Sequence, residues 1–270
     1  MIRLSSRLLV ALFFALAAAS PALAQDDDTV LKPAEPDFGL VGLPTSLRLA
    51  PFKSAFRMTH RFGLPLKGDF GDLAGNLFGL DNGATVGLEY RIGIIPNGQV
   101  GLHRSSNGKT VELFGQYGLV RQTQAPLDIS ALVTIEGTDN FKDSYSPALG
   151  VIVSRTVGEW AAFYVEPIWV NNTNALPQEL VDDNDTFMVG IGARIRIRPT
   201  VYLVGEYAPR ASGFAPGSHH AGFGIEKRAG GHTFQLNFSD SRATTLGQIA
   251  RGGVSPQEWY MGFNLSRKFF

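Results

Sequence analysis

The sequence predicts an all-β protein, a single antiparallel transmembrane β-barrel of about 12 strands. Three observations predict this fold. An export signal opens the chain, apolar residues then alternate with small and polar residues in short segments, and the connections between those segments alternate between short and long. No long apolar run follows residue 24, which excludes a membrane protein built from helices.

The first 24 residues have the pattern of a secretory signal peptide. Arg3 and Arg7 precede an apolar run from Leu8 to Ala19, and the small residues "ALA" end at Ala24 as a cleavage site. The run is shorter than the roughly 20 residues that a membrane-spanning helix needs. The segment is therefore predicted to be removed on export.

Two further regions follow the signal peptide. Residues 25–53 begin with an acidic stretch and are then broken by Pro and Gly, so they are predicted to form an irregular periplasmic lead-in. Residues 54–270 are predicted to form the barrel.

Composition excludes several kinds of chemistry. Without residues 1–24, whose only charges are Arg3 and Arg7, 22 basic residues face 24 acidic residues, a net charge of −2. This near-neutral balance gives no electrostatic reason to expect a nucleic-acid partner. The chain has no Cys, so disulfides, thiolate chemistry, Cys-ligated zinc and a lipid-modified Cys anchor are excluded. No cofactor or metal is predicted.

Alternation with a period of two predicts the strands. It is clearest in residues 84–90, 129–135, 187–197 and 259–269, where apolar residues are expected to face lipid and the residues between them the lumen. A soluble β-sandwich would show the same alternation with its apolar face turned inward. Alternation alone therefore leaves both folds open.

The connections favour the barrel. Those after the second, fourth, sixth, eighth and tenth strands are short, whereas those after the first, fifth, seventh, ninth and eleventh are longer. Only the turn "SSNGK" after the third strand interrupts the long series. Short turns on one side and long loops on the other are typical of outer-membrane barrels, and an even number of strands places both termini in the periplasm.

The last strand, "WYMGFNLSRKFF", ends on an aromatic residue, Phe270. This ending resembles the signal read by the barrel-insertion machinery of Gram-negative bacteria. We therefore expect that machinery and outer-membrane lipids as partners, and the bacterial outer membrane as the location. The alternating apolar set of the strand is in phase with Phe269 rather than Phe270. The sequence does not predict an oligomeric state.

Three stretches resemble the bacterial membrane β-barrel family called domain of unknown function 5777. They are "FRMTHRFG", "FGLDNGATVGLEYRI" and "HRSSNGKTVELFGQYGLVRQ", about a third of the barrel. The resemblance implies the fold and the location. The family has no assigned activity, so the resemblance transfers no site.

His103 and Ser105 are the weak catalytic candidates, with Glu112 as a residue that could orient the histidine. A serine hydrolase needs a base beside the hydroxyl and a third group that orients the base. His-x-Ser on one strand places both side chains on the same face. That face is expected to be the lumen, however, and "SSNGK" is also good hairpin-turn sequence because Asn-Gly adopts positive φ easily.

Charged residues at lumen-facing positions form the second candidate site. They are Arg57, Arg61, Glu89, Arg91, Glu112, Glu166, Arg194, Arg196, Arg198, Glu206, Glu226 and Arg228. They could line a pore that selects small charged solutes. They could equally form a salt-bridged filling that closes a narrow barrel.

The sequence therefore favours a narrow porin-like channel for small polar or charged solutes. The alternative is a closed barrel with a structural or interaction role, or with lipid-hydrolase activity through His103 and Ser105. An enzyme is the less favoured interpretation. The long loops after the first, seventh and eleventh strands could fold inward, and the pattern does not decide whether they do.

Overall fold

The computed structural model describes residues 34–80, 82–173, 184–213, 218–252 and 258–269. The predicted signal peptide and Phe270 lie outside these ranges. One antiparallel sheet contains every strand in them. The strands are β1 Ser54–Phe62, β2 Ala84–Ile95, β3 Gly98–Ser105, β4 Val111–Val120, β5 Asp128–Gly137, β6 Asp143–Val157, β7 Ala161–Val170, β8 Thr186–Arg198, β9 Val201–Ala208, β10 Arg210–Gly213, β11 His220–Ala229, β12 His232–Ser239 and β13 Tyr260–Phe269.

The sheet closes into a barrel of twelve strand positions. β1 pairs with both β2 and β13, so the first and last strands are neighbours. β10 continues β9 along the same partner: Tyr207 of β9 lies opposite Ile191 of β8, and Arg210 of β10 lies opposite Met188. Counting β9 and β10 as one interrupted strand confirms the predicted twelve-stranded barrel.

The predicted alternation is also confirmed. Apolar side chains along the strands are exposed on the outside, among them Leu149 and Val133 at 59% and 52%. Their sequence neighbours Ala148, Leu132 and Thr134 are buried on the inside. Successive side chains of a strand point to opposite faces, so one alternating pattern makes a lipid-facing belt and a lined interior.

All short helical segments lie at the long-loop end of the barrel. They are Phe70–Gly75, Leu77–Gly79, Asn107–Lys109, Thr138–Phe141 and Leu246–Arg251. Within the described ranges, none of the helices has the length and apolar character needed to cross a bilayer.

Two segments fill the lumen. The first, residues 34–49, is the plug segment, and its apolar side chains Leu40, Val41 and Leu43 are fully buried. The second, residues 240–252, is the inner loop between β12 and β13, and its Ile249 is 2% exposed. The interior of the barrel therefore contains the apolar core, in which both segments pack against wall residues.

The plug segment corrects the expectation of a periplasmic lead-in for these residues. Its irregular backbone was expected correctly, but it lies inside the barrel rather than below it. The physical reason is its content of Leu, Val and Phe, which would be exposed to water in the periplasm and are buried in the lumen.

Candidate functional site: the filled lumen

The structure places nine of the twelve predicted lining residues in the interior. These are Arg57, Arg61, Glu89, Arg91, Glu112, Glu166, Arg194, Glu206 and Glu226, and all are buried. The other three lie toward the short-turn rim. Arg198 is exposed, Arg228 is half-buried, and Arg196 bonds Glu159 and the Pro199 carbonyl in the turn. The inward phase of β8 is lost between Arg196 and Arg198, where the register shifts.

The plug segment contains a small hairpin. Gly39 and Pro44 form an antiparallel bridge, and the Thr45 N–H donates to the Phe38 carbonyl at 2.9 Å. The Leu40 N–H donates to the Leu43 carbonyl at 2.8 Å. Residues 40–43 form the end of this hairpin, which we call the plug tip.

Glu206 holds the plug tip by its backbone N–H groups. Its carboxylate accepts from Val41 at 2.9 Å, from Gly42 at 2.7 Å and from Leu43 at 3.0 Å. His220 adds a fourth contact, 2.8 Å from Nε2 to Oε1. Successive N–H groups converging on one carboxylate make an anion-binding nest, here occupied by a side chain of the wall.

The carbonyl groups of the plug tip are held by other wall residues. Arg57 Nη2 donates to Leu40 O at 2.6 Å, and Arg61 Nη2 donates to Val41 O at 2.9 Å. Asn264 Nδ2 donates to the same Val41 oxygen at 3.0 Å. A carboxylate on β9 and two guanidinium groups on β1 therefore satisfy the donors and acceptors of one short peptide.

Glycines of the wall make room for the side chains of the plug tip. Three lumen-facing glycines contact it: Gly190, Gly192 and Gly222. A Cβ on Gly192 would lie 2.2 Å from Leu40 Cδ1, and one on Gly190 would lie 2.9 Å from Leu43 Cδ1. A Cβ on Gly222 would lie 3.2 Å from the side chain of Val41. Larger residues at the first two positions would displace the tip.

The rest of the plug segment is attached in the same manner. Arg194 donates to Gly39 O at 2.7 Å and pairs with Glu226 at 3.0 Å. Nearer the start of the segment, Tyr164 donates to Glu35 at 2.8 Å. Near its end, Gln116 donates to Thr45 O at 2.9 Å. In the described residues, barrel side chains rather than strand pairing hold the plug segment.

Acidic wall residues hold the inner loop. Glu112 accepts from the Leu246 N–H at 3.1 Å, at the start of the loop helix. Glu136 accepts from the Thr245 hydroxyl at 2.6 Å and pairs with Arg251 at 2.7 Å. Glu112, which was suggested as the residue that orients His103, therefore binds the inner loop.

The structure does not join His103 to Ser105. Both side chains face the lumen, as predicted, but the Ser105 hydroxyl accepts from Thr244 at 2.7 Å. Among the residues that the structure describes, His103 Nε2 has no hydrogen-bond partner, and Nδ1 lies 3.9 Å from a Glu89 oxygen. The hydroxyl–imidazole hydrogen bond that a serine hydrolase needs is not formed.

The two filling segments meet inside the barrel. A Cβ on Gly42 would lie 2.9 Å from Ile249 Cδ1 of the inner loop. A polar connection also links them, because His220 contacts Glu206 with Nε2 and Asp240 with Nδ1, the latter at 3.2 Å. Ser241 Oγ lies 3.3 Å from the same Nδ1.

Little space is left in the lumen. A cavity of about 50 Å³ lies between the plug segment, the inner loop and the wall formed by β1 to β5. It has room for a few water molecules. Its lining includes Arg57, Arg61, Glu89, Arg91, His103 and Glu112.

The predicted charge lining left out other polar residues that complete the lumen. They include Gln99, Gln116, His220, Gln235, Asn264 and Lys268, all buried. Each lies at an inward position of its strand, so alternation marks it as a lumen residue. The amides were not part of the predicted lining because they carry no charge.

The family model described as a membrane bound beta barrel domain, domain of unknown function 5777, matches residues 43–269. The chain belongs to this family. It is a membrane-bound β-barrel, and its fold is like that of solved porins. No curated protein sequence matches it.

Solved porin structures share the fold. The KdgM porin in complex with disordered oligogalacturonate superposes with a TM-score of 0.53 at 4% identity, covering 81% of this chain and 99% of that porin. The NanC porin superposes with a TM-score of 0.53 at 8% identity, covering 80% of this chain and 99% of that porin. These identities carry the fold alone.

Proposed function

We propose that this barrel is a gated outer-membrane channel for small polar or charged solutes, closed at rest by its own plug segment. The observation that carries the proposal is how the plug segment is held. Wall side chains form hydrogen bonds with its backbone. Among the described residues, no backbone–backbone hydrogen bond joins residues 34–49 to a strand. The segment can leave the lumen without breaking any strand pairing of the barrel.

The wall that the plug segment covers suits such solutes. Arg57, Arg61 and Arg194 line it together with Glu206 and Glu226, so it carries charges of both signs. Charged rings in a water-filled lumen select ions and polar solutes. With the plug segment in place, the cavity of about 50 Å³ between it, the inner loop and β1 to β5 is too small for any solute much larger than water.

A second candidate is a permanently closed barrel with an interaction role. The observation that favours it is that the lumen is filled from both ends, by the plug segment and by the inner loop. Recognition of the last strand by the barrel-insertion machinery stays a prediction for either candidate, because Phe270 lies outside the described residues.

Single-channel recording in planar bilayers separates the two candidates. The wild-type chain is compared with Gly42→Asp, which places a carboxylate beside Glu206 and a side chain against Ile249. A gated channel gives rare discrete openings in the wild type and frequent openings in the variant. A silent bilayer for both, with a folded barrel confirmed by heat-modifiable migration, supports the closed barrel and contradicts the channel.

A further inference from the structure

We propose that the wall around the plug tip is a binding site for short peptides with aliphatic side chains, and that the open channel selects solutes of this class. The second clause rests on the proposed channel function. The binding site itself does not, because it is defined by wall residues already in contact with a peptide, residues 40–43 of the same chain.

The wall recognises both polar sides of a peptide backbone. Glu206 accepts three consecutive N–H groups at 2.7–3.0 Å, while Arg57 and Arg61 donate to the carbonyl groups of Leu40 and Val41. A free peptide has the same donors and acceptors. It adds a terminal ammonium, which suits the carboxylate side, and a terminal carboxylate, which suits the guanidinium side.

The wall also has places for aliphatic side chains. Leu40 and Leu43 lie over Gly192 and Gly190, where a Cβ of the wall would be 2.2 Å and 2.9 Å from their methyl groups. Leu40 and Leu43 belong to the same buried apolar cluster as the wall residues Ile168 and Met188. A leucine side chain of a bound peptide would fill the same space that a plug leucine fills.

Within the described part of the chain, a buried carboxylate near the plug tip lacks a hydrogen-bond partner. Glu166 is fully buried, and neither of its oxygens is hydrogen-bonded in the described residues. Glu166 is on β7 and lies opposite Gly190 of β8, while Glu206 is on β9 and lies opposite Gly192 of β8. The two carboxylates therefore lie on either side of the glycines that contact Leu40 and Leu43. An ammonium group of a peptide would supply the donor that Glu166 lacks.

These features disfavour other solute classes. A neutral sugar would leave Glu206, Arg57 and Arg61 without charged partners. Its hydroxyl groups would also lie in the apolar space that the plug leucines now fill. A simple anion would meet Glu166 and Glu206 as well as the arginines. A zwitterionic peptide with aliphatic side chains would pair with the carboxylates, pair with the arginines and fill the apolar space between them.

Calorimetric titration of the full-length Gly42→Asp protein in detergent tests binding directly. The probe is leucyl-leucine, with glycyl-glycine and sucrose as comparison ligands. We expect saturable binding of leucyl-leucine, at least tenfold weaker binding of glycyl-glycine, and none of sucrose. Leu40→Ala/Leu43→Ala, which weakens the tip without adding charge, serves as the second loosened variant in case Gly42→Asp does not fold.

The wall residues are then tested in the loosened background. Adding Glu206→Gln is expected to weaken leucyl-leucine binding at least tenfold. The matched control Glu159→Gln removes a carboxylate that is exposed in a short turn, and it leaves binding unchanged. Absence of leucyl-leucine binding to both loosened variants, or equal binding of sucrose, overturns the proposal.

Current recordings keep this inference distinct from the proposed function. Peptide binding together with a current that leucyl-leucine blocks supports both. Peptide binding in a barrel that never conducts supports the site and contradicts the channel. An open channel that conducts without any peptide binding or block supports the channel and contradicts the site.

Discussion

The plug segment and the inner loop fill the same lumen but are attached to it differently. Residues 240–252 are tied to the barrel at both ends, by β12 and β13, whereas residues 34–49 are tied through β1 at their C-terminal end. Acidic side chains of the long-loop end hold the inner loop, and a mixed set of Arg, Glu, Asn and Gln side chains holds the plug segment. In the proposed channel, the plug segment is therefore the part that is expected to move.

Glu206→Gln is expected to have the largest effect. An amide oxygen cannot replace a carboxylate that accepts three N–H groups and contacts His220, and hydrogen bonds to charged groups contribute about 2 kcal/mol. We expect a roughly 30-fold rise in open probability in bilayer recordings, since every 1.4 kcal/mol is tenfold. Glu159→Gln is the matched control. Equal open probability in Glu206→Gln and wild type would show that this carboxylate does not hold the gate.

Glu136→Gln is expected to have a smaller effect, confined to the inner loop. The variant weakens the contacts to Thr245 and Arg251, worth about 1 kcal/mol, while the plug segment keeps all its contacts. We expect trypsin to cleave after Arg251 roughly fivefold faster, with little change in open probability. The control is Asp139→Asn in an exposed loop. A larger gain in current than that of Glu206→Gln would make the inner loop the main gate.

The barrel strands could be predicted from the sequence, but the position of the plug segment could not. The barrel was predicted because lipid imposes one rule on every strand, apolar outside and polar inside, and that rule is visible in segments such as residues 129–135. The plug segment obeys no such period. Its signal is compositional: Leu40, Val41 and Leu43 are too apolar for a periplasmic linker, and Gly190 and Gly192 leave space at inward positions of β8.

The sequence predicts only part of the candidate site, for a related reason. Alternation identifies Glu206 and Arg57 as lumen residues, but it cannot say that they hold opposite sides of one peptide, because their partners lie more than a hundred residues away or in irregular backbone. Arg198 has the inward parity of β8 in the sequence, but the register shift between Arg196 and Arg198 breaks that alternation and leaves Arg198 exposed.

Ser105→Ala is expected to cost about 1 kcal/mol through the lost contact with Thr244. The midpoint of thermal unfolding, followed by heat-modifiable migration, should fall slightly, and the exposed-site control Ser212→Ala should leave it unchanged. Lipid hydrolysis should be the same in both, because His103 does not bond Ser105. Hydrolysis by the wild type that Ser105→Ala abolishes would instead revive the catalytic interpretation.

Arg198→Gln is expected to have the smallest effect. The side chain is exposed at the short-turn rim, where solvent screens its charge. The reversal potential in a salt gradient should not change, whereas Arg57→Gln, which removes a buried lumen cation, should shift it toward cation selectivity. A shift of the same size from both variants would contradict the assignment of the selective wall to the covered lumen.

The most direct test locks the plug segment in place. Ser46 Oγ lies 2.6 Å from Ser154 Oγ of β6, which suits a disulfide of about 2.05 Å between sulfurs, and the chain has no other cysteine. Ser46→Cys/Ser154→Cys is made in the Glu206→Gln background, with each single Cys variant as a control. We predict that oxidation abolishes openings and that a reductant restores them. Openings that persist unchanged through a confirmed disulfide would contradict the account, because the channel would then open with its plug segment still held.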